Sequence, residues 1–262
     1  MRILTANLRD ARANDGDNNW VHRLPACLSL LQHADADVIC CQEVRASQRK
    51  DLCRHLIAFD SIGLAESRVD DSTPNLIFYR HDRFHLLEYG GHWLSTTPAL
   101  AGSISWDGRY PRLVNWVRLQ PRAGGAPWCI VNTHLEDDHP ETARQQLETL
   151  LPRLPNLSTD LHVFTGDLNS GIDSPVLQRL HTLGWRDSWR AAHPNTAPGR
   201  TYHAFDGERS QCQPDEQIDW ILVRERVQVL AAGIIRDSLN GRYPSDHFFL
   251  HATLKETPHE HA

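Results

Sequence analysis

At six places along this chain an apolar, strand-like run ends or begins on a residue able to do chemistry. Arg2-Ile-Leu-Thr-Ala leads into Asn7, Val38-Ile-Cys-Cys-Gln into Glu43, and Cys129-Ile-Val-Asn-Thr into His134. Val163-Phe-Thr-Gly leads into Asp167, with Asn169 two residues on, and Ser245-Asp246-His247 opens the run Phe-Phe-Leu-His-Ala-Thr-Leu. Asp219 sits inside Ile-Asp-Trp-Ile-Leu-Val, where strand alternation puts it on the face of Ile221 and Val223. A lone carboxylate is costly to bury unless it is paired or bound to a cation. One such residue would pass as a strand cap; the whole set predicts convergence on one rim of a sheet, where α/β proteins commonly bind ligands.

The residue types narrow the chemistry. Glu43, Asp167 and Asp246, with the amides of Asn7 and Asn169, offer hard oxygen ligands that suit Mg²⁺ or Mn²⁺ better than zinc or copper. His134 and His247 add proton-transfer groups near neutral pH. A divalent cation beside a base that activates water is a common arrangement for hydrolysing phosphate esters.

The elements that must carry these residues are legible as short β-branched or aromatic runs: 2–7, 37–42, 75–79, 113–119, 128–135, 161–165, 218–223 and 248–254. Helical spacing fits 20–33, 46–57, 141–154 and 174–183, the last with Ser174 as N-cap and Pro175 in the first turn. Residues 95–111 and 193–214 read as long polar loops, the kind that often carry function. No internal repeat is evident. One α/β domain over 1–254 and a polar tail over 255–262, containing His259 and His261, is the economical division.

Composition sets the outer bounds. The 262 residues are 40% hydrophobic and 23% charged, an ordinary globular balance. A formal net charge of −6 weighs against long duplex nucleic acid, which calls for basic surface. No apolar run approaches a membrane span, so a soluble, cytoplasmic protein is expected, with no protein partner indicated. The six cysteines form no Cys-x-x-Cys pair and read mostly as packed thiols.

Taken in order, Thr5-Ala-Asn7, Gln42-Glu43-Val44, Asn132-Thr-His134-Leu135, Gly166-Asp167-Leu-Asn169, Ile218-Asp219-Trp220 and Ser245-Asp246-His247-Phe248 resemble motifs of the endonuclease/exonuclease/phosphatase superfamily. The resemblance covers residues 3–254. It implies a four-layer α/β/β/α sandwich, two packed mixed β-sheets with helices outside and the site at one edge of the sheets. By that analogy Glu43, with Asn7 and Asp246, holds Mg²⁺ or, as its substitute, Mn²⁺. His247 takes the proton of the attacking water, and Asp219 fixes its tautomer. Asp167 and Asn169 position water and a phosphate oxygen. His134 contacts the scissile phosphate or protonates the leaving oxygen, and no covalent enzyme intermediate forms.

Trp93-Leu-Ser-Thr-Thr-Pro98, Gly102-Ser-Ile-Ser-Trp-Asp107, Arg112 and Thr201-Tyr-His203-Ala-Phe205 resemble a bacterial metal-dependent-hydrolase branch of that superfamily. Arg112, Trp106, Tyr202 and His203 are therefore candidate substrate contacts. The Trp-Trp-Ser-Tyr-Arg type of segment expected of abasic-site endonucleases is missing. Glu136-Asp137-Asp138 reads as a solvated approach to a helix. The leading expectation is a phosphodiesterase acting on a nucleotide or single-stranded nucleic acid. Alternatives are a phosphomonoesterase, a lipid or inositol phosphate hydrolase, and a catalytically silent binding module on the same fold.

Overall fold

A computed structural model describes residues 1–64, 74–155 and 160–257. Two mixed sheets of six strands each pack face to face, with helices on their outer faces. The first sheet contains β1 (Arg2–Asn7), β2 (Val38–Gln42), β3 (Phe59–Ile62), β4 (Leu76–Arg80), β11 (Val227–Ile235) and β12 (Phe249–Glu256). The second contains β5 (Phe84–Trp93), β6 (Leu113–Pro121), β7 (Trp128–His134), β8 (Leu161–Asp167), β9 (Arg186–Asp187) and β10 (Asp219–Val223). The strand orders are β11-β12-β1-β2-β4-β3 and β5-β6-β7-β8-β10-β9. Each sheet has the same plan: an antiparallel hairpin on one side, a parallel central pair joined through a helix, then antiparallel strands. The sequence shows no such repeat.

Helices α1 (Trp20–His33) and α2 (Ala46–His55) cover the first sheet, while α3 (Pro140–Leu150) and α4 (Pro175–Thr182) cover the second. Ser174 Oγ accepts from Leu177 N at 3.2 Å and caps α4 as expected. The helix expected over 141–154 ends earlier, giving way to a 3-10 turn at Leu151–Arg153, because Pro152 has no N–H to continue an α-helical ladder. Short α5 (Ser188–Ala192) was not evident in the sequence; Asp187 caps it through both carboxylate oxygens. β12 runs to Glu256, two residues into the expected tail, and His259 and His261 lie outside the described residues.

Alternation sorts the strand residues into layers. Leu4, Ile39, Cys41 and Phe78 pack with α1 and α2, whereas Val131, Phe164, Trp220 and Leu222 pack with α3 and α4. Ile3, Val38, Cys40, Ile130, Val163, Ile221 and Val223 fill the space between the sheets. Following that inner face toward the strand ends, the residues turn polar. Ile3 gives way to Thr5 and Asn7, Ile130 to Asn132 and His134, and Val163 to Thr165 and Asp167. Gln42 Nε2 donates to Asn132 Oδ1 at 2.6 Å and to Thr5 Oγ1 at 3.0 Å, and Asn132 Nδ2 donates to the carbonyls of Cys41 and Leu76, each at 3.0 Å. This buried polar layer fixes one sheet against the other immediately beneath the site. The expected packed thiols are found at Cys27, Cys40, Cys41 and Cys129; Cys53 is exposed and Cys212 half-buried.

Candidate active site

Register brings the chemistry together. His134 pairs with Asp167 across the parallel β7–β8 ladder, and Asp219 pairs with Asp167 across the antiparallel β8–β10 ladder. Three candidate site side chains thus stand in one row on the inner face of the second sheet. Gly166 makes the close approach possible: its φ is +149°, and a Cβ there would lie 1.9 Å from the Thr133 carbonyl oxygen. At the ends of the strands, Glu43 and Asn169 adopt φ values of +59° and +46°, a sparsely populated region for side-chain-bearing residues. Beyond those turns each side chain meets the end of the adjacent strand of its own sheet, Glu43 at Asn7 and Asp10 and Asn169 at His134 and the Leu135 carbonyl.

The contacts close into one network. Asn7 Nδ2 donates to Glu43 Oε1 at 3.0 Å and to Asp167 Oδ2 at 2.9 Å. Its amide oxygen accepts from Arg9 N at 2.9 Å, so Asn7, expected as a metal ligand, turns its nitrogen to the two carboxylates. Glu43 Oε2 accepts from Asp10 N at 2.8 Å. Asp167 Oδ2 stands 3.6 Å from His134 Nε2 and 3.7 Å from His247 Nε2, and its other oxygen accepts from Asn169 N at 3.0 Å. His247 Nδ1 is 2.9 Å from Asp219 Oδ2, which leaves Nε2 directed toward Asp167. Thr201 Oγ1 accepts from the N–H groups of Ile218 and Asp219 and so anchors the start of β10.

Burial gives these groups unusual proton affinities. It opposes a charge on His247, but the nearby carboxylates of Asp219 and Asp167, with the Asp219 hydrogen bond, outweigh it and raise the pKa to about 10. Burial and the charge of Asp219 push Asp167 up to about 7. His134 goes the other way, held well below the ordinary histidine value by burial and by the charges of Arg112 and His247. It is therefore a neutral ring. Asn169 Nδ2 donates to its Nε2 at 3.0 Å, which puts the proton on Nδ1, a buried atom with no hydrogen-bond partner.

A cavity of about 980 Å³ opens over this network. Glu43, His134, Asp167, Asn169, Asp246 and His247 all reach its wall, as do Arg112 and Tyr202. Asp219 stands behind His247. His203 does not join them: it is fully buried, accepts from Gly207 N at 3.1 Å and stacks on Phe248 with ring centroids 4.1 Å apart. Trp106 also lies off the cavity wall, on the loop before β6 with φ +59°. Arg112 is 8% exposed, donates to Asp137 Oδ1 at 3.0 Å and has a buried Nε with no partner. The acidic run is less solvated than the sequence implies, because Glu136 is buried and accepts from Arg109 N at 3.0 Å.

Much of the cavity rim leaves no mark in the sequence. Arg9, Arg12, Arg45 and Arg109 join Arg112 there, a local concentration of arginine that the net charge of −6 conceals. Arg9 lies 3.6 Å from Asp246, and Arg45 binds Asp10 through both nitrogen and oxygen pairs of a fork. These side chains come from loops, so periodicity carries no signal for them. Glu43, bonded to the Asn7 amide, and Asp246, on the same cavity wall, both carry the hard oxygen donors that a divalent metal takes. Asp167, Asp219 and His247 form a second acidic and histidine group, with ligand atoms within 4.8 Å of one another.

A sequence model of the endonuclease/exonuclease/phosphatase family matches residues 4–247. The chain belongs to this family. Endonuclease/exonuclease/phosphatase proteins are phosphoester hydrolases that generally depend on a divalent metal, and this chain is an enzyme of that kind. Among solved structures, it is 26% identical to a family protein from Bacteroides thetaiotaomicron, with a TM-score of 0.87 over 100% of this chain and 97% of that one. A mannosyl-6-phosphatase from the same organism is 27% identical, with a TM-score of 0.85 over 97% and 99% of the two chains. The fold is shared with D. rerio TDP2 in complex with a single-strand DNA product, at 18% identity and a TM-score of 0.77 over 97% and 98%. No curated protein matches the chain in sequence. Among the described residues, no helix is long and apolar enough to cross a membrane.

Proposed function

We propose that this endonuclease/exonuclease/phosphatase protein is a Mg²⁺-dependent phosphoesterase that hydrolyses a phosphodiester, with a nucleotide or single-stranded nucleic acid as substrate, in the cytoplasm. That assignment rests on the His247–Asp219 pair at 2.9 Å, which leaves His247 Nε2 toward Asp167 on the cavity wall. Glu43 and Asp246 hold Mg²⁺ or Mn²⁺, and Asn7 keeps Glu43 in place. When bound, the metal supplies Lewis-acid polarisation of a phosphoryl oxygen. Asp167 and Asn169 orient the attacking water. In its neutral form, which the flanking carboxylates make the minor one at pH 7, His247 takes the water's proton at Nε2 while Asp219 accepts the Nδ1 hydrogen and stabilises the imidazolium. His134 Nδ1 and Arg112 donate to the oxygens on which charge develops, and His134, being neutral, does so without giving up a proton. Tyr202, its ring centroid 5.1 Å from that of His247, borders the bound substrate.

A sugar phosphomonoester is the second reading, favoured by the 27% identity to a mannosyl-6-phosphatase over nearly the whole chain. The bounded cavity and its arginines suit either small anionic substrate. A catalytically silent module would lack part of the machinery, whereas every expected core residue is present here.

The deciding assay compares bis(p-nitrophenyl) phosphate, p-nitrophenyl phosphate and mannose 6-phosphate, each with Mg²⁺, with Mn²⁺ and without metal. Metal-dependent diester cleavage that disappears in Asp167→Asn is the expected result. Hydrolysis of monoesters alone replaces it with the sugar-phosphate reading. No metal-dependent turnover of these esters or of a nucleotide panel overturns both.

A further inference from the structure

Arg23, on α1, is fully buried, yet its hydrogen bonds all go to main-chain oxygen. Nε donates to the Asn18 carbonyl at 2.5 Å. Nη1 donates to Leu8 at 3.0 Å and to Pro244 at 2.6 Å, and Nη2 to Arg9 at 3.3 Å. The rings of Trp20 and Phe205 stand 5.4 and 5.5 Å from the guanidinium carbon. A buried guanidinium without a hydrogen-bonded carboxylate is an expensive way to anchor a helix, and an apolar side chain would fill the space at less cost. What an arginine adds is a rigid fork of donors that can hold several strands of chain at fixed separations.

The segments it holds are those of the site. Leu8 and Arg9 directly follow Asn7, and Arg9 N bonds back to the Asn7 side chain. Pro244 precedes Asp246 and His247 by two and three residues. We infer that Arg23 is a positioning residue that fixes the Asn7–Arg9 segment against the Asp246–His247 segment, and so sets the geometry of the reacting groups. As a role in catalysis, this rests on the phosphoesterase reading above.

Three variants of the full chain test it. Arg23→Lys keeps the charge but loses the fork. Phe205→Leu removes one flanking ring and leaves every donor in place. Leu31→Ala, in the same helix and in the core cluster that contains Trp20, is a control for destabilisation alone. Below the melting temperature of each, Arg23→Lys is expected to lower kcat roughly 10- to 100-fold with KM within about threefold, since small misplacements of reacting groups carry penalties of that size. Phe205→Leu is expected to follow in the same direction by less, and Leu31→Ala to keep its kcat. Losses that merely track melting temperature across the three overturn the proposal, as does full kcat in Arg23→Lys.

Hydrogen exchange supplies a readout that needs no substrate. The amides of His203 and Ala204 bond to the Asp246 carbonyl at 2.8 and 3.2 Å. In Arg23→Lys they should exchange faster while amides of the central strands do not, and unchanged exchange overturns the clamp whatever the activity. A wild-type chain that hydrolyses no phosphoester, with this exchange difference present, overturns the phosphoesterase reading and the catalytic role but leaves the clamp itself.

Discussion

Asn7 and Asp167 lie 160 residues apart in the chain, and the amide of one donates to the carboxylate of the other at 2.9 Å. Asn7 ends β1 in the first sheet and Asp167 ends β8 in the second. The bond therefore spans the seam between two separately built halves, one floor above the Gln42–Asn132 contact that joins them. Because Asp167 also stands within 3.7 Å of both His134 and His247, a shift of one sheet against the other changes the spacing of this carboxylate, both imidazoles and Asn7 at once.

Asp219→Asn should lower kcat by at least roughly 10²-fold, the scale of a misdirected general base. It also removes the charge that raises His247, so the pKa of that ring falls. The ascending limb of the pH–rate profile then moves to lower pH as the maximal rate drops. A limb that stays in place would show that another group titrates.

Arg112 lines the cavity wall, with Nη2 held by Asp137 and a buried Nε that has no partner. Replacing it by Ala is expected to cost roughly 10²-fold in kcat/KM, the scale of one lost oxyanion donor. Arg112→Lys should recover only part, because a point charge does not reproduce two parallel hydrogen bonds. Equal activity of the Lys variant and wild type would remove Arg112 from the phosphate contacts.

Asn132 is buried and bonds to Gln42, to the Cys41 carbonyl and to the Leu76 carbonyl. Asn132→Ala strands those partners without water, and stability should fall by about 2–4 kcal/mol in urea unfolding. A loss below about 0.5 kcal/mol would mean that apolar packing alone sets the sheet-to-sheet fit.

His203 is buried without charge, and burial, aided by the charge of His247, lowers its pKa to about 4. An unfolded chain binds a proton at this position below about pH 6.5, whereas the folded chain does so only near 4. The folded state consequently loses stability as pH falls between those values, by about 3 kcal/mol from this group. Urea unfolding of wild type and His203→Gln at pH 7 and pH 4.5 isolates the effect. The variant should show the smaller pH dependence; identical slopes would sink the assignment.

The interior is legible along the chain without coordinates. Eight apolar runs correspond to β1, β2, β4, β6, β7, β8, β10 and β12, and four helical patterns correspond to α1–α4. Buried strands must be apolar over several consecutive residues, and that leaves a mark one can read without coordinates. The change from apolar to polar at the strand ends likewise identified Asn7, His134, Asp167 and Asp219 as sharing a rim.

Tertiary structure alone decided the periphery. The four strands that left no such mark, β3, β5, β9 and β11, are the four edges of the two sheets. Edge strands are half-solvated, and β5 and β11 also carry register shifts, between Leu86 and Glu88 and between Val229 and Ala231. Their alternation is broken accordingly. The arginine rim, the removal of His203 into the interior and the Arg23 clamp depend on loop paths, for which no local rule exists. Which residues meet was written along the strands; how far apart they stand was set by what lies between the sheets.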